Sequence, residues 1–317
     1  MCAKFLIVGG GNLGSRHLQG ILQLENPVSV DVLDTQKRAI DLCKIRAQEI
    51  LECSPTPHKI EYHSSHETLS ADYDLGINAT SSTGRLASLR LTTNRARFWI
   101  LEKILTQNSE DLSELLNLTS RCDGVWVNYM MRELNWLQNL KNELANETVE
   151  EIELDGLNWS IACNLTHHLD FASWLGECAL VSLDTNKLGS DWYESKRPNF
   201  YETLGEVTAT FSNGMSARYA SRRNGPPRLT KIRTSRETWA MDEINATVMR
   251  DNKVVFSGTF ERQSQLTTKL ANNILNNKTC NLPMIEEASK NHKIFIDAFL
   301  KHWQKTMDRD AKRIPIT

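Results

Sequence analysis

Three groups of residues have types and spacings suited to chemistry. The first is Cys163-Asn164-Leu165-Thr166-His167-His168-Leu169-Asp170. A helix beginning near Thr166 would put His167 and Asp170 at i and i+3, on one face. An imidazole and a carboxylate so placed can orient and deprotonate a hydroxyl. A polar helix start without chemistry fits the same spacing. His168 would point about 100° away around the helix. The H-H-x-D run lacks a further ligand and no other His/Cys cluster supplies one, so no metal is expected. The second group is Glu102-Lys103, after the apolar run Phe98 to Leu101. A lysine at the mouth of a parallel sheet, beside a cationic ring, would be pushed toward the neutral amine useful for proton transfer. On spacing alone, a surface lysine at a strand end is the simpler account.

The third group is Gly9-Gly10-Gly11-Asn12-Leu13-Gly14, which fits G-x-G-x-x-G. It follows an apolar strand and opens a periodic helix, the context that dinucleotide binding needs. Gly9 allows a tight turn, Gly11 lets a pyrophosphate approach the backbone, and Gly14 lets helix pack on strand. The N–H groups of the helix start, from Asn12 and Leu13 onward, face the phosphates. Asp34 stands twenty residues past Gly14 at the end of the next strand. A carboxylate there accepts ribose hydroxyls and repels a 2′-phosphate, so NAD is expected over NADP. Lys37 and Arg38 could offset that repulsion, Arg38 from a place at the cofactor. Thr80 and Ser81 end the fourth strand and would border the nicotinamide ribose, with Glu102 nearby; Ser82 and Thr83 read equally well as an ordinary loop.

These residues need a scaffold. Over the first 120 residues strands and helices alternate: Lys4 to Val8, Val28 to Leu33, Ile60 to Tyr62, Asp74 to Asn78 and Phe98 to Leu101 are strands, with amphipathic stripes between them. That predicts a Rossmann-like, doubly wound parallel sheet. Beyond it come a strand at Gly124 to Tyr129 and a helix at Arg132 to Ala145. Alternating strands follow at Glu151 to Leu157, Gly205 to Ser212, Met215 to Ser221, Leu229 to Ser235, Asn245 to Arg250 and Val254 to Ser257. Asn213-Gly214 and Asp251-Asn252 sit where hairpin turns are wanted. A helix from about Ile285 to Thr306 closes the chain. The reading is an α/β domain over residues 1–123 and an α+β domain with a large, mostly antiparallel open sheet over 124–317. The 317 residues allow about two such domains.

A formal net charge of −2 gives no reason to expect nucleic acid or an anionic membrane as partner. No stretch has the roughly 20 apolar residues of a membrane span, and the N-terminus lacks the pattern of a signal peptide. Seven scattered cysteines without C-x-x-C suggest free thiols in a reducing cytoplasm. The cations Arg218, Arg222, Arg223, Arg228, Lys231, Arg233 and Arg236 have no acid among them. They read as a solvated strand face or subunit contact paired with acids elsewhere, or, less simply, as a site for an anionic substrate.

The order and spacing of GGGNLGSRH at 9–17, Asp34, LEK at 101–103, NYMMR at 128–132 and HHLDFASWLG at 167–176 resemble the glucose–fructose oxidoreductase / inositol dehydrogenase / rhizopine catabolism (Gfo/Idh/MocA) family over nearly the whole chain. The resemblance implies a lysine beside the reacting hydroxyl at Lys103, and an H-x-x-D histidine at His167 with Asp170. It also implies homodimers or homotetramers formed through the open C-terminal sheet. Ile104 stands where the family's Glu-Lys-Pro motif has proline, Cys163-Asn164-Leu165 where it often has D-x-G, and the histidine often seen after the fourth strand is not evident in Thr80 to Arg85. Cys163, Asn164, Asn128, Tyr129 and Arg132 resemble a bacterial branch linked to surface-sugar biosynthesis, which implies substrate contacts from Tyr129, Arg132, Cys163 and Asn164. The implied activity is NAD-dependent hydride transfer at a secondary alcohol of a sugar or sugar derivative, with His167 or Lys103 as the base and Asp170 fixing the imidazole. Three alternatives stay open: a non-catalytic NAD-binding sensor or scaffold, a lyase or hydrolase that uses NAD transiently, and a reductase of imines or tetrapyrroles.

Overall fold

The computed structural model describes residues 2–317, which fall into two compact units. The first comprises residues 2–106, 111–128 and 261–285; the second comprises 107–110, 129–260 and 286–317.

In the first unit, β1 (Ala3–Val8), β2 (Val28–Leu33), β3 (Lys59–His63), β4 (Tyr73–Asn78), β5 (Ala96–Leu101) and β6 (Gly124–Val127) form one sheet in the order β3-β2-β1-β4-β5-β6. Every neighbouring pair is parallel. Continuous apolar runs suit strands covered on both faces; Phe5, Leu6 and Ile7 are fully buried. The helices α1 (Gly14–Ile21), α2 (Lys37–Leu51), α3 (Ser82–Thr92) and α4 (Ser109–Thr119) lie between strands in sequence. Strand order reverses between β1 and β4, and at such a switch point the carboxyl ends of the strands leave a crevice. The loops bearing Gly9 to Gly14, Thr80 and Ser81, and Glu102-Lys103 all leave the sheet at that edge.

The second unit holds α5 (Asn135–Glu143), β7 (Val149–Leu157), α6 (Ile161–Leu175), β8 (Leu180–Leu188), the short pair β9 (Tyr193–Glu194) and β10 (Tyr201–Glu202), β11 (Gly205–Phe211), β12 (Ser216–Arg222), β13 (Leu229–Thr234), β14 (Thr238–Asp242), β15 (Thr247–Arg250) and β16 (Lys253–Ser257). Eight of these strands form a sheet in the order β16-β15-β14-β13-β7-β12-β11-β8. Its pairs are antiparallel except β7 with β12. Strand alternation buries Ile152, Leu154, Val207, Ala209, Tyr219, Ile232, Trp239 and Met241 and leaves a charged opposite face. The Tyr219 hydroxyl donates to the His168 carbonyl at 3.1 Å and so ties β12 to α6. The expected turns are present: Gly214 has φ +89°, and Asp251 and Asn252 have φ +47° and +62°.

Two helices close the chain, and they go to different units. α7 (Gln263–Asn277) belongs to the first and α8 (Ile285–Thr306) almost wholly to the second. α7 packs on α1, where Gly20 permits the approach: a Cβ there would lie 2.3 Å from the Ser264 carbonyl oxygen. Leu270, Ala271 and Ile274 join Leu18 and Ile21 in the first unit's core. The division at residue 123 is corrected in two respects. The strand at 124–127 completes the parallel sheet, and 261–285 returns to the first unit because the apolar face of α1 needs α7 to cover it. β8 and β14 were also not foreseen. β8 is an edge strand exposed along most of its length, so its sequence carries no clean apolar alternation.

Candidate functional site

Each glycine of the turn has a different physical reason. Gly9 has φ +94°, and a Cβ there would lie 2.9 Å from the Thr80 backbone nitrogen. At Gly14 a Cβ would sit 1.7 Å from the Gly9 carbonyl oxygen. Gly11 differs: nothing of the protein lies within 4 Å of its Cβ position. The open space over Gly11, just before α1, is one that a side chain would fill, and it stands where a glycine turn of this spacing lets a pyrophosphate approach the backbone.

Asp34 follows β2 directly. It accepts the Gly10 N–H at Oδ2 and the Gln36 N–H at Oδ1, both at 2.7 Å. Each oxygen retains a lone pair for a ribose hydroxyl. Arg46, on α2, reaches back over the turn and donates to the Asn12 carbonyl at 2.7 Å and to Ser15 Oγ at 2.6 Å. Burial, then the nearby Arg16 guanidinium, hold Arg46 below its ordinary range. Positive charge thus gathers beside a helix N-terminus that already favours anions. Arg38 and Lys37 are exposed on the first turn of α2, and Gln36 is exposed just before it.

A buried polar network lies beneath the crevice. His17 is fully buried; its Nδ1 lies 2.8 Å from Thr267 Oγ1 and its Nε2 lies 2.9 Å from Glu102 Oε1. Asn128 Nδ2 also donates to Glu102 Oε1 and donates to Gln263 Oε1 at 3.1 Å. Burial alone would raise the Glu102 carboxyl; His17, Asn128 and the charge of Arg85 more than offset that and hold it below its ordinary value. Arg85, 1% exposed on α3, donates to the carbonyls of Thr80 and Ile104. It therefore ties the loop after β4 to the loop after β5. Lys103 is half-buried between Glu102 and Ile104, and the Lys103–Ile104 peptide is cis. Glu102 is thus a buried support for this loop rather than a group open to a ligand. His17, Arg46, Arg85 and Asn128 were missed as members of the site. His17 and Asn128 stood within the blocks that carry the family resemblance, without a role assigned, and Arg85 in the stretch where the family histidine is absent.

In the second unit α6 begins at Ile161, five residues before the expected start. The Glu202 carboxylate accepts the Ala162 N–H at 2.9 Å and the Cys163 N–H at 3.0 Å, capping that end. Cys163 therefore sits at a capped helix start, and Asn164 donates to the Trp159 carbonyl at 2.8 Å. His167 is half-buried, with the Tyr129 ring edge-on at 5.8 Å between centroids. Met130, Trp136, Asn164, His167, Arg228 and Phe260 are among the residues around a cavity of about 190 Å³. Glu243 enters the same cavity; it lies 3.7 Å from His168 Nδ1 and 3.1 Å from Arg228.

The expected orientation of His167 by Asp170 is corrected. Asp170 is 1% exposed and binds Arg132 with both oxygens, at 2.9 Å to Nε and 2.7 Å to Nη2. Arg132 also donates to Glu287 at 2.6 Å. A carboxylate this deeply buried needs a counter-charge, and Arg132 supplies it from the turn before α5. Burial pushes Asp170 up to about 7 against the pull of Arg132, while the two carboxylates hold Arg132 charged. The two-point geometry is that of an ionised pair. Arg132, expected to meet substrate, is itself only 6% exposed.

Four of the seven cations between 218 and 236 pair with acids. Arg218 meets Glu153, Asp155 and Glu206, Arg222 meets Asp155, Arg228 meets Glu243, and Arg233 meets Glu150 and Glu151. The run is mainly a strand face balanced across β7, the simpler of its two readings. Among the described residues, no helix is long and apolar enough to cross a membrane.

No family model and no curated protein matches the sequence. Solved structures do match the fold. A super-repressor mutant of Gal80p from Saccharomyces cerevisiae has a TM-score of 0.75 at 10% identity, over 96% of this chain and 97% of that one. Myo-inositol dehydrogenase from Lactobacillus casei, solved with NAD(H) and myo-inositol, has a TM-score of 0.70 at 13% identity, over 96% of each chain. UDP-N-acetylglucosamine 3-dehydrogenase from Acidithiobacillus ferrooxidans has a TM-score of 0.69 at 17% identity, over 98% of this chain and 99% of that one.

Proposed function

We propose that this chain, whose structural neighbours are of the Gfo/Idh/MocA type and whose fold is theirs, is an NAD-dependent oxidoreductase acting on a secondary alcohol of a sugar or sugar derivative. The carrying observation is the glycine turn: Gly9 and Gly14 answer to close protein contacts, whereas Gly11 faces open space at the crevice beside Asp34. NAD, when bound, supplies the hydride acceptor. The chain's own residues supply the rest. The Gly11 to Gly14 backbone, Arg46 and Asp34 hold the dinucleotide, and Thr80 and Ser81 border it. Lys103 in the first unit and His167 in the second are the groups suited to taking a hydroxyl proton and holding its oxygen. Tyr129 and Asn164 shape the surroundings of His167. Asp170 and Arg132 serve as a structural pair beneath it.

Neighbours that by name act on an inositol and on a nucleotide-linked sugar support a polyhydroxylated ring as substrate. The charged outer face of the eight-stranded sheet supports a homodimer or homotetramer formed through it. Cys43 is a buried thiol raised to about 12 chiefly by burial, in keeping with a cytoplasmic setting.

The test is titration calorimetry with NAD and NADP, followed by NADH formation across inositols and nucleotide-linked sugars. Lys103→Ala and His167→Ala should keep NAD affinity and lower kcat by about 10²–10⁴-fold. Absence of binding to either dinucleotide rejects the proposal. A second reading, an NAD-binding sensor without turnover, is favoured by two observations. Asp170 is engaged by Arg132, and one neighbour is a mutant of a repressor. Stoichiometric NAD binding with no reduction over the whole panel would select it.

A further inference from the structure

Asp31 is an anomaly in β2. It stands within Val28–Leu33, is only 5% exposed, and carries a charge where its neighbours are apolar. Parallel pairing sets Asp31 opposite Glu61 and Leu33 opposite His63. The two-residue period of a strand then puts Asp31, Glu61 and His63 on one face. The Tyr73 hydroxyl donates to Asp31 Oδ2. Asp31 Oδ1 lies 3.6 Å from His63 Nε2, and Glu61 Oε2 lies 4.0 Å from the same nitrogen. Although the His63 side chain is 9% exposed, Nε2 is buried and makes no hydrogen bond.

The other ring nitrogen decides what Nε2 carries. His63 Nδ1 lies 2.8 Å from Thr68 Oγ1, and the Thr68 hydroxyl donates to the Ser65 carbonyl at 2.9 Å. With its proton committed, Thr68 can only accept, so Nδ1 bears the hydrogen. Nε2, the nitrogen that Thr68 leaves unengaged, therefore points between two carboxylates. Three acceptors converge with no donor among them, and such a cluster calls for a cation. The 3.6 and 4.0 Å separations are longer than the about 2.7–2.9 Å of charge-assisted N–H···O bonds and leave room for an ion. All three ligand atoms lie within 4.8 Å of one another. A tetrahedral ion with ligands at about 2.0–2.2 Å holds its ligand atoms about 3.4 Å apart; the 3.6 Å between Asp31 and His63 is near this, and the 4.0 Å between Glu61 and His63 closes by a turn of the half-exposed Glu61 side chain.

We propose that Asp31, Glu61 and His63 bind a divalent transition-metal ion, zinc by preference. One imidazole with two carboxylates suits zinc better than magnesium or calcium, which take oxygen ligands. Thr68 fixes the tautomer and Tyr73 holds Asp31, the outer contacts that ligands of such ions use. Lys59, 2.7 Å from Glu61 Oε1, leaves Oε2 for the ion. Sequence spacing hides the site, because Asp31 joins Glu61 and His63 only through strand pairing. The proposal is independent of the cofactor reading.

The full chain, stripped with chelator, is dialysed against zinc and against cobalt(II). One equivalent of zinc and the visible absorption of four-coordinate cobalt are expected. Glu61→Gln should weaken binding about tenfold or more, His63→Gln should abolish it, and zinc should raise the melting temperature of the wild type alone. Zinc uptake that is absent, or equal in all three proteins, overturns the proposal. Should His63→Gln not fold, Glu61→Gln decides, since that side chain is 48% exposed.

Discussion

Replacing Gly11 by valine separates cofactor binding from folding. Its Cβ would meet no protein atom within 4 Å, and its φ lies outside the left-handed region, so the melting temperature should stay within about 2 °C of wild type. The side chain would occupy the space where the pyrophosphate approaches the backbone. Losing one hydrogen bond to a charged group costs about 1.5–3 kcal/mol, which corresponds to about a 10- to 150-fold weaker Kd for NAD. Gly14→Ala is the control with the opposite signature. Its Cβ would sit 1.7 Å from the Gly9 carbonyl oxygen, so the turn must deform and thermal stability must fall together with binding. Calorimetric titration with NAD and scanning fluorimetry on the same samples read both quantities. A Gly11→Val protein that binds NAD as the wild type does would refute the placement of the dinucleotide on this turn.

Three further outcomes follow from the geometry. Glu102 is held below its ordinary 4.5 in the folded protein, so its contribution is present above pH 4.5 and fades as pH falls through the folded value; Glu102→Gln should flatten the acid side of the stability profile, and parallel melting curves for the two proteins between pH 3 and 7 would contradict this. Arg85→Gln forfeits bonds to the Thr80 and Ile104 carbonyls, each worth about 1.5–3 kcal/mol; urea unfolding should show a clear loss, and an unchanged midpoint would mean the clamp carries no load. If the outer sheet face joins copies of the chain, Lys231→Glu with Arg233→Glu should reduce the mass found by light scattering, and an unchanged oligomer would move the interface elsewhere.

Legibility in the sequence followed burial and locality. β1, β2, β4 and β5 are apolar runs punctuated by glycine, small or charged residues, so the parallel sheet could be read with errors of about two residues. The glycine turn was legible because each of its constraints is local. β8 was not, since an edge strand exposed on both sides carries no alternation. The partner of Asp170 was not, because helical spacing gives the neighbour on the same face but not a guanidinium 38 residues away. His17, Arg85 and Asn128 gave no signal as a network, since Glu102 gathers them from separate segments.

The return of 263–277 to the first unit bears on how the chain is made. Until residue 277 has left the ribosome, the apolar side of α1, Leu18 and Ile21 included, lacks the cover of α7. The nascent first unit would thus wait, incomplete, through the synthesis of the entire second sheet. A fragment ending at residue 123 should accordingly be sticky and short-lived, whereas one in which 261–285 is spliced directly onto residue 128 should be the minimal autonomous version.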